Sequence, residues 1–232
     1  GPSRQPLTGQ VVGLTVDRRG DVWVGEISTG LVRLGEVSAT KPDAPPPGTK
    51  PPFTIYGDAS GRVWTGYFDG TLQVRDGDDV RIFGRAEGFV GGMVTTLHES
   101  PPGTVWIGSS KGLSRYRDGR FDTVGWNSGL PGNVIGAIVP DGLGQLWLAS
   151  SAGILRVALA DLEQSFGDAS RALPFELYDA SDGLRGDPIS FGTPTAAYAA
   201  DGRLWFVTSD GVALMDVHQA AKRRQPPAML IE

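Results

Sequence analysis

Six residues in predicted turns have side chains suited to holding a ligand: Tyr67, Asp69, Lys111, Asn133, Arg185 and Asp187. An aromatic ring offers a stacking surface, and carboxylate, amide, ammonium and guanidinium groups offer hydrogen bonds to a polar small molecule. Each of the six is also a residue type that exposed turns prefer, and no fixed spacing joins them into a motif. They are therefore candidate ligand contacts whose meaning depends on the elements that position them.

Catalytic and metal-binding chemistry has fewer candidates. The chain has two histidines, His98 and His218, and no cysteine, so we predict neither a metal site nor a cofactor. Asp69, Asp182 and Asp187 are carboxylates of the kind that a glycosidase pairs across its substrate, although the sequence does not fix their separation. An enzyme of the lyase or glycosidase type, or a protein-docking scaffold, stays as an alternative to a ligand-binding module.

A phrase that recurs along the chain identifies the elements that carry these residues. It consists of a glycine, an apolar run with a tryptophan, and a second glycine, as in "GLGQLWLASSAGILRV" from Gly142. Successive phrase tryptophans are separated by 41, 42, 41 and 58 residues, and they are Trp23, Trp64, Trp106, Trp147 and Trp205. Such a period is typical of propeller blades, whereas paired-helix repeats need long 3.6-residue periodicity. The sequence therefore predicts an all-β propeller of about five four-stranded blades with one short helical insertion.

The third unit illustrates how one repeat is predicted to fold. "MVTTLHES" is the innermost strand, "TVWIGSS" the second, "LSRYRDGR" the third, which ends in a turn at Asp118 and Gly119, and "FDTVGW" the outermost. Applied to the whole propeller, residues 4–225, this pattern gives units at 9–52, 53–92, 93–133, 134–188 and 189–225.

The recurring tryptophans are predicted to be core residues, because a residue repeated in every unit is usually a packing device. Trp126 lies outside the phrase, next to the loop between blades, where surface or ligand contact is more plausible than for the phrase tryptophans, although a packing role is still favoured. The second glycine of each phrase is predicted to make a tight turn at positive φ, and these glycines are Gly30, Gly70, Gly112, Gly153 and Gly211.

Two segments interrupt the array. Glu36–Pro52 is proline-rich and cannot supply a ladder of backbone donors, so we expect a surface excursion in place of the outer part of the first blade. In the fourth unit, Leu159, Leu162 and Phe166 are spaced as one apolar face of a short helix, which we expect on the outside of the fourth blade. "PFELYDA" then resumes as a strand.

Charge and hydropathy exclude some classes of partner. The net charge is −5, and the one basic run is Lys222–Arg224, so we expect no binding to nucleic acid. No apolar run reaches the length of about eighteen residues that a membrane-spanning helix needs. Residues 1–3, Gly-Pro-Ser, resemble the remnant of a cleaved expression tag, so the start of the chain says nothing about targeting.

The carboxyl-terminal half carries a family resemblance. "GLPGNVIGAIVPDGLGQLWLASSAGILRV", the helical segment, "DASDGLRGDP", "DGRLWFVTSDGVALMDV" and "QPPAMLIE" follow one another in that order. Together they resemble the C-terminal blades of the two-component regulator propeller family, and the resemblance extends from Gly9 to Glu232. Propellers of this family are sensor regions of hybrid histidine kinases, and sometimes of diguanylate cyclases, outside the inner membrane.

The resemblance implies a periplasmic sensor domain with a small-molecule or saccharide ligand. It also implies a β-sandwich and a membrane-anchored signalling module as downstream partners, with residues 226–232 as the junction or as a closing strand. Family members often have an asparagine-bearing stretch after "DGL", where this chain reads "RGDPISFGTP", so no ligand role is transferred to that loop. Family rings commonly have seven blades, whereas five units are counted here, so either this ring is small or the chain is a fragment of a larger propeller.

The fifth unit has a first strand near residues 196–199, a second near 204–208 and a third near 212–217, but no outermost strand before the basic run. We expect five units to close as a ring, because an open arc exposes two apolar blade faces. A homodimer is the alternative way to cover those faces.

Overall fold

The computed structural model describes residues 9–34, 51–168, 171–190 and 194–222, and its regular structure is mostly β-strand. Five antiparallel sheets follow one another along the chain, each built from consecutive strands. This confirms the predicted β-propeller architecture. The predictions for residues 1–3, for residues 36–50 and for residues 226–232 lie outside the described residues.

The blades contain the strands in chain order. Blade 1 contains β1 Val11–Val16, β2 Val22–Glu26 and β3 Gly30–Leu34. Blade 2 contains β4 Pro52–Gly57, β5 Val63–Tyr67, β6 Leu72–Asp76 and β7 Asp79–Phe83. Blade 3 contains β8 Val94–Glu99, β9 Val105–Ser109, β10 Gly112–Arg117 and β11 Arg120–Val124. Blade 4 contains β12 Ile135–Pro140, β13 Gln145–Ser150, β14 Gly153–Ala158 and β15 Glu176–Tyr178. Blade 5 contains β16 Ala196–Tyr198, β17 Arg203–Thr208 and β18 Gly211–Asp216.

Blades 2, 3 and 4 have the predicted four strands, and blades 1 and 5 have three in the described part of the chain. In blade 5 the third strand leads into the helix α2, Val217–Lys222. The sequence did not predict this helix. The predicted turn glycines all have positive φ, with values of 89°, 87°, 118°, 135° and 135° in blades 1 to 5. A residue with a Cβ atom would be strained at these turns.

The hydrophobic core lies between blades rather than inside one sheet. Four clusters occupy the four successive blade interfaces, and in each of them a phrase tryptophan packs against the following blade. The side chains on which it packs stand on either side of the phrase tryptophan of the following blade. Trp106, for example, shares its cluster with Leu146 and Leu148, which stand on either side of Trp147. The tryptophans of blades 1 to 4 are therefore the core residues that the repeat predicted.

Glycines allow the innermost strand of the next blade to come close to this packing. An added Cβ atom at Gly66 would lie 2.4 Å from Val94 Cγ1, and one at Gly108 would lie 2.6 Å from the Ile135 carbonyl oxygen. Both distances are shorter than real contacts of a Cβ atom. Gly66 and Gly108 each follow the phrase tryptophan of their own blade by two residues, and both are thus part of the interface and not of a turn.

Helix α1, Leu159–Gly167, is the predicted insertion, but its position differs from the prediction. It contacts β11 of blade 3 as well as β14 of blade 4, so it covers an interface instead of the outside of blade 4. Phe166 stacks on Trp106 with ring centroids 6.3 Å apart. Glu163 pairs with Arg115 and Arg117 of blade 3. The helix spans the two blades because its apolar residue Phe166 and its carboxylate Glu163 both contact blade 3, while the helix follows directly on β14 of blade 4.

Two expectations about the end of the array are wrong. Trp205 is not a core residue, because 37% of its surface is exposed. The innermost strands pack side by side in the order β1, β4, β8, β12 and β16, and no comparable packing joins β16 back to β1. In the described part of the chain the five blades form an open arc and not a closed ring.

Candidate functional site

The innermost strands of all five blades line one cavity of about 670 Å³ at the centre of the arc. Each innermost strand is the edge strand of its sheet, so one edge of its backbone borders the cavity. Polar side chains on the wall are Thr54, Tyr56, Thr96, His98 and Thr195. The cavity therefore combines side-chain hydrogen-bonding groups from several blades.

Tyr56 and His98 are the aromatic pair of this wall. Their ring centroids are 6.1 Å apart, and the Tyr56 hydroxyl accepts a hydrogen bond of 3.1 Å from the backbone N–H of Glu99. Burial raises the pKa of the Tyr56 phenol and lowers the pKa of His98, with the charge of Glu99 opposing the shift at His98. Both side chains are therefore uncharged at neutral pH.

The wall has no charged side chain. Among the described residues that line the cavity, none is aspartate, glutamate, lysine or arginine, and the remaining side chains are aliphatic or glycine and proline. An ion would lose hydration here without gaining a charged partner. The cavity thus fits an uncharged ligand that has both apolar surface and hydroxyl or amide groups.

The lowered pKa of His98 predicts a dependence of stability on pH. The folded protein holds fewer protons than the unfolded chain below the usual histidine pKa of 6.5, so stability is lost as the pH falls through that value. We expect the free energy of unfolding to fall as the pH is lowered below about 6.5, and to fall less steeply in His98→Gln. Urea titrations at stepped pH measure both slopes. Equal slopes in the two proteins would contradict the prediction.

The six residues that the sequence suggested lie elsewhere. All belong to the loop end of the arc, defined here as the end where the chain enters each innermost strand and where the second and third strands turn. At this end the backbone N–H of Asn133 donates to Ser151 Oγ at 3.1 Å, and that of Asp187 donates to Ser209 Oγ at 3.0 Å. The site residues are distributed over blades 2 to 5, and none of them lines the central cavity.

Individual residues of that set differ in exposure. Asp69, Lys111, Asn133, Arg185 and Asp187 are exposed, as turn residues should be. Tyr67 differs from the expectation of a loop residue, because it ends strand β5 with 1% of its surface exposed. Its hydroxyl donates to Gln73 Oε1 at 2.9 Å, so the ring serves the interior of blade 2.

Replacing Lys111 with alanine tests the assignment of the loop end. The side chain is exposed, and it is the backbone N–H of Lys111 that donates to Ser109 Oγ, at 3.1 Å. We expect Lys111→Ala to change the free energy of unfolding by less than about 0.5 kcal/mol in a urea titration. A loss of several times that size would mean that the turn is packed.

A second cavity of about 660 Å³ lies between the outer part of blade 4 and the free edge of β18, next to α2. Arg185 is the one residue of the predicted set on its wall, together with Asp182, Asp210 and Asp216. Asp182 lines this cavity, whereas Asp69 and Asp187 line neither this cavity nor the central one. The structure does not bring the three candidate carboxylates to one wall.

Sequence reasoning missed the aromatic pair, although a spacing signal was present. Tyr56 and His98 each precede the phrase tryptophan of their own blade by eight residues, at the same register of the innermost strand. The sequence predicts His98 on an innermost strand, which the structure confirms, but a chain with two histidines gives no signal for this pair beyond an argument against a metal site. Within the described residues no group of three or more histidine or acidic side chains is arranged to hold a metal ion.

Comparison with known proteins supports the fold. No family model matches the sequence, and no curated protein matches it. The extracellular domain assigned to a hybrid two-component system of B. thetaiotaomicron superposes on 94% of this chain, with a TM-score of 0.74 and 21% identity, and 29% of that domain is covered. A second such domain of B. thetaiotaomicron gives a TM-score of 0.66 over 90% of this chain at 17% identity, with 30% of it covered.

Virginiamycin B lyase from Staphylococcus aureus superposes on 97% of the chain with a TM-score of 0.63 and 16% identity, and 75% of the lyase is covered. At these identities the likenesses establish the β-propeller fold. The chain spans less than a third of the length of the two B. thetaiotaomicron domains. Among the described residues no helix is long and apolar enough to cross a membrane.

Proposed function

We propose that this chain is part of an extracytoplasmic sensor propeller of a two-component, hybrid histidine kinase-like receptor, and that it binds an uncharged small molecule or saccharide. The observation that carries the proposal is the central cavity, whose wall takes residues from all five blades and has no charged side chain. The likeness to extracellular domains of two-component systems supports the class of receptor. The motifs shared with two-component regulator propellers point the same way.

A ligand in this cavity would touch several blades at once. A signal requires that the ligand bind one arrangement of the receptor more tightly than another, since equal affinity for both arrangements shifts nothing. Contacts to β4, β8 and β12 from one small molecule would give such a difference, because those strands belong to separate sheets. The proposed downstream partners are a β-sandwich and a membrane-anchored signalling module, in a receptor whose sensor part is periplasmic.

An enzyme is the weaker alternative. Similarity to a lyase at 16% identity concerns the fold, and of the three candidate carboxylates only Asp182 lines either of the two cavities. The two neutral groups, Tyr56 and His98, can position and stack a ligand without a charged acid–base partner on the cavity wall. We therefore assign binding and no catalytic residue, cofactor or metal to the site.

A ligand screen tests the proposal. Neutral oligosaccharides and other uncharged metabolites are compared with acidic and basic ones by thermal shift, and hits are measured by calorimetry. We expect an uncharged hit whose affinity falls about tenfold or more in His98→Gln, which corresponds to about 1.4 kcal/mol. Arg120→Ala, an exposed change at the start of the outermost strand of blade 3, is the matched control and should leave affinity unchanged.

The variants also distinguish the cavity from the loop end. A ligand that loses affinity in Lys111→Ala and not in His98→Gln binds the loops, which contradicts the cavity as its site. Hits confined to charged compounds would contradict the uncharged class of ligand.

A further inference from the structure

The second cavity, which borders the outer edge of blade 5, is elongated. Five consecutive residues of β18, 212–216, line its wall. At about 3.3 Å per residue they span roughly 16 Å along the strand. In the described part of the chain β18 pairs with β17 alone, so its other edge borders the cavity. We call this cavity the edge groove.

The backbone of β18 directs hydrogen-bonding groups to the edge that borders this groove. The N–H of Val217, which follows β18, donates to the Gly202 carbonyl at 3.1 Å, on the side of β17. Successive residues of an antiparallel strand direct their N–H and C=O groups alternately to one side and to the other. The backbone groups of Met215 therefore point to β17, and those of Val212 and Leu214 point away from it, to the edge of the groove.

Blade 4 shows what such an edge accepts. Its third strand, β14, pairs on the same edge with β15 through Ile154, Leu155 and Arg156. An extended segment of three residues is thus enough for pairing at the outer edge of a third strand. The edge groove offers an edge of the same kind over a greater length.

The floor of the edge groove is apolar. Ala213 and Met215 direct their side chains to blade 4, where they pack against the cluster that contains Tyr178. Leu184 packs against the same cluster, and all four residues line the groove. A side chain that points from the groove toward blade 4 would therefore meet apolar surface.

The rim of the edge groove is acidic. Asp210 directly precedes β18 and Asp216 is its last residue, so a carboxylate stands at each end of the groove, and Asp182 lies on the side of blade 4. Among the described residues of this wall, Arg185 is the one cationic side chain. The excess of carboxylates attracts positive charge and repels negative charge.

We propose that the edge groove binds an extended basic peptide of a partner protein, which pairs with the free edge of β18, lays an apolar side chain on the floor and places a basic residue near each end. In this mode of recognition the main-chain hydrogen bonds give affinity and alternate side chains give specificity. The site is separate from the central cavity, whose described wall has no charged side chain. It therefore adds a protein partner to the uncharged ligand proposed above.

Calorimetry with synthetic peptides tests this site. The probe is acetyl-Lys-Thr-Xaa-Thr-Lys-amide with Leu, Val or Phe at the centre, so that the apolar and the two basic side chains share one face. We expect binding to the 232-residue chain, and an affinity about tenfold lower when Asp210→Asn and Asp216→Asn are combined. Asp187→Asn with Asp201→Asn is the matched control, because it removes the same charge from exposed residues outside the groove and should leave affinity unchanged. The same peptide with Glu in place of Lys, or N-methylated at its three central residues, should not bind.

Three results would overturn the proposal. One is the absence of binding by all three basic peptides. Another is an affinity that is unchanged by the paired substitutions at Asp210 and Asp216, or equal for the N-methylated peptide, since the peptide would then bind elsewhere or without the strand edge. The third is an affinity that rises when Arg223→Gln and Arg224→Gln are combined, which would make the basic run of this chain the occupant of the groove.

Discussion

Replacing Trp106 with alanine is expected to lower the free energy of unfolding by about 3–5 kcal/mol, as for other buried aromatic residues. Trp106 is 2% exposed and packs at the interface of blades 3 and 4. Its indole Nε1–H donates to the Ser100 carbonyl at 2.8 Å, and its ring stacks on Phe166 of α1. The substitution removes all three interactions together, so the cavity it leaves cannot be filled by movement of one neighbour.

Urea unfolding followed by circular dichroism measures this loss. Trp126→Ala is the matched control, because Trp126 is 68% exposed in a 3₁₀ helix between blades and should change stability by less than about 0.5 kcal/mol. Equal effects of the two substitutions would show that the interfaces between blades are not the main source of stability.

The order of blades and strands could be predicted because the same pattern of strands and turns recurs in each unit of the sequence. The spacing of the tryptophans fixed the units, and hairpin dipeptides such as Asp118-Gly119 fixed the turns. The exposure of Trp205 could not be predicted from the repeat itself. A repeated residue is buried only where the next repeat covers it, and the sequence of one blade does not say whether its neighbour is present.

The site was harder to predict than the fold. Polar turn residues are numerous in any propeller, so a prediction of ligand contacts from residue type alone gives residues of the loop end. The central cavity is formed by side chains of the innermost strands, which the pattern of a single strand assigns to the core. Tyr56 and His98 reach one wall because two different sheets place the same register position at the channel. Only the assembled arc brings them together.

Asp141 is another residue whose role could not be predicted from the sequence composition. Its carboxylate accepts hydrogen bonds from the backbone N–H groups of Leu143 at 2.7 Å and Gln145 at 3.1 Å, and from Trp147 Nε1 at 3.1 Å. Asp17 and Asp58 repeat the arrangement six residues before their own tryptophans. An aspartate, buried at Asp58 and Asp141 and half-buried at Asp17, thus links the first hairpin of a blade to the interface with the next blade.

We expect Asp141→Ala to lower the free energy of unfolding by about 2–4 kcal/mol, because it leaves a buried indole N–H and two turn N–H groups without their acceptor. Asp141→Asn should cost less, since its amide oxygen can still serve the turn while its NH₂ group opposes the indole N–H. Asp201→Ala is the control, as Asp201 lies on the exposed first hairpin of blade 5 and pairs with the exposed Arg203. Urea titrations of the three variants should rank them in that order. An Asp141→Ala protein as stable as Asp201→Ala would mean that the hairpin relaxes and satisfies the Trp147 indole another way, and the aspartate would then be a turn residue without a part in holding the blades together.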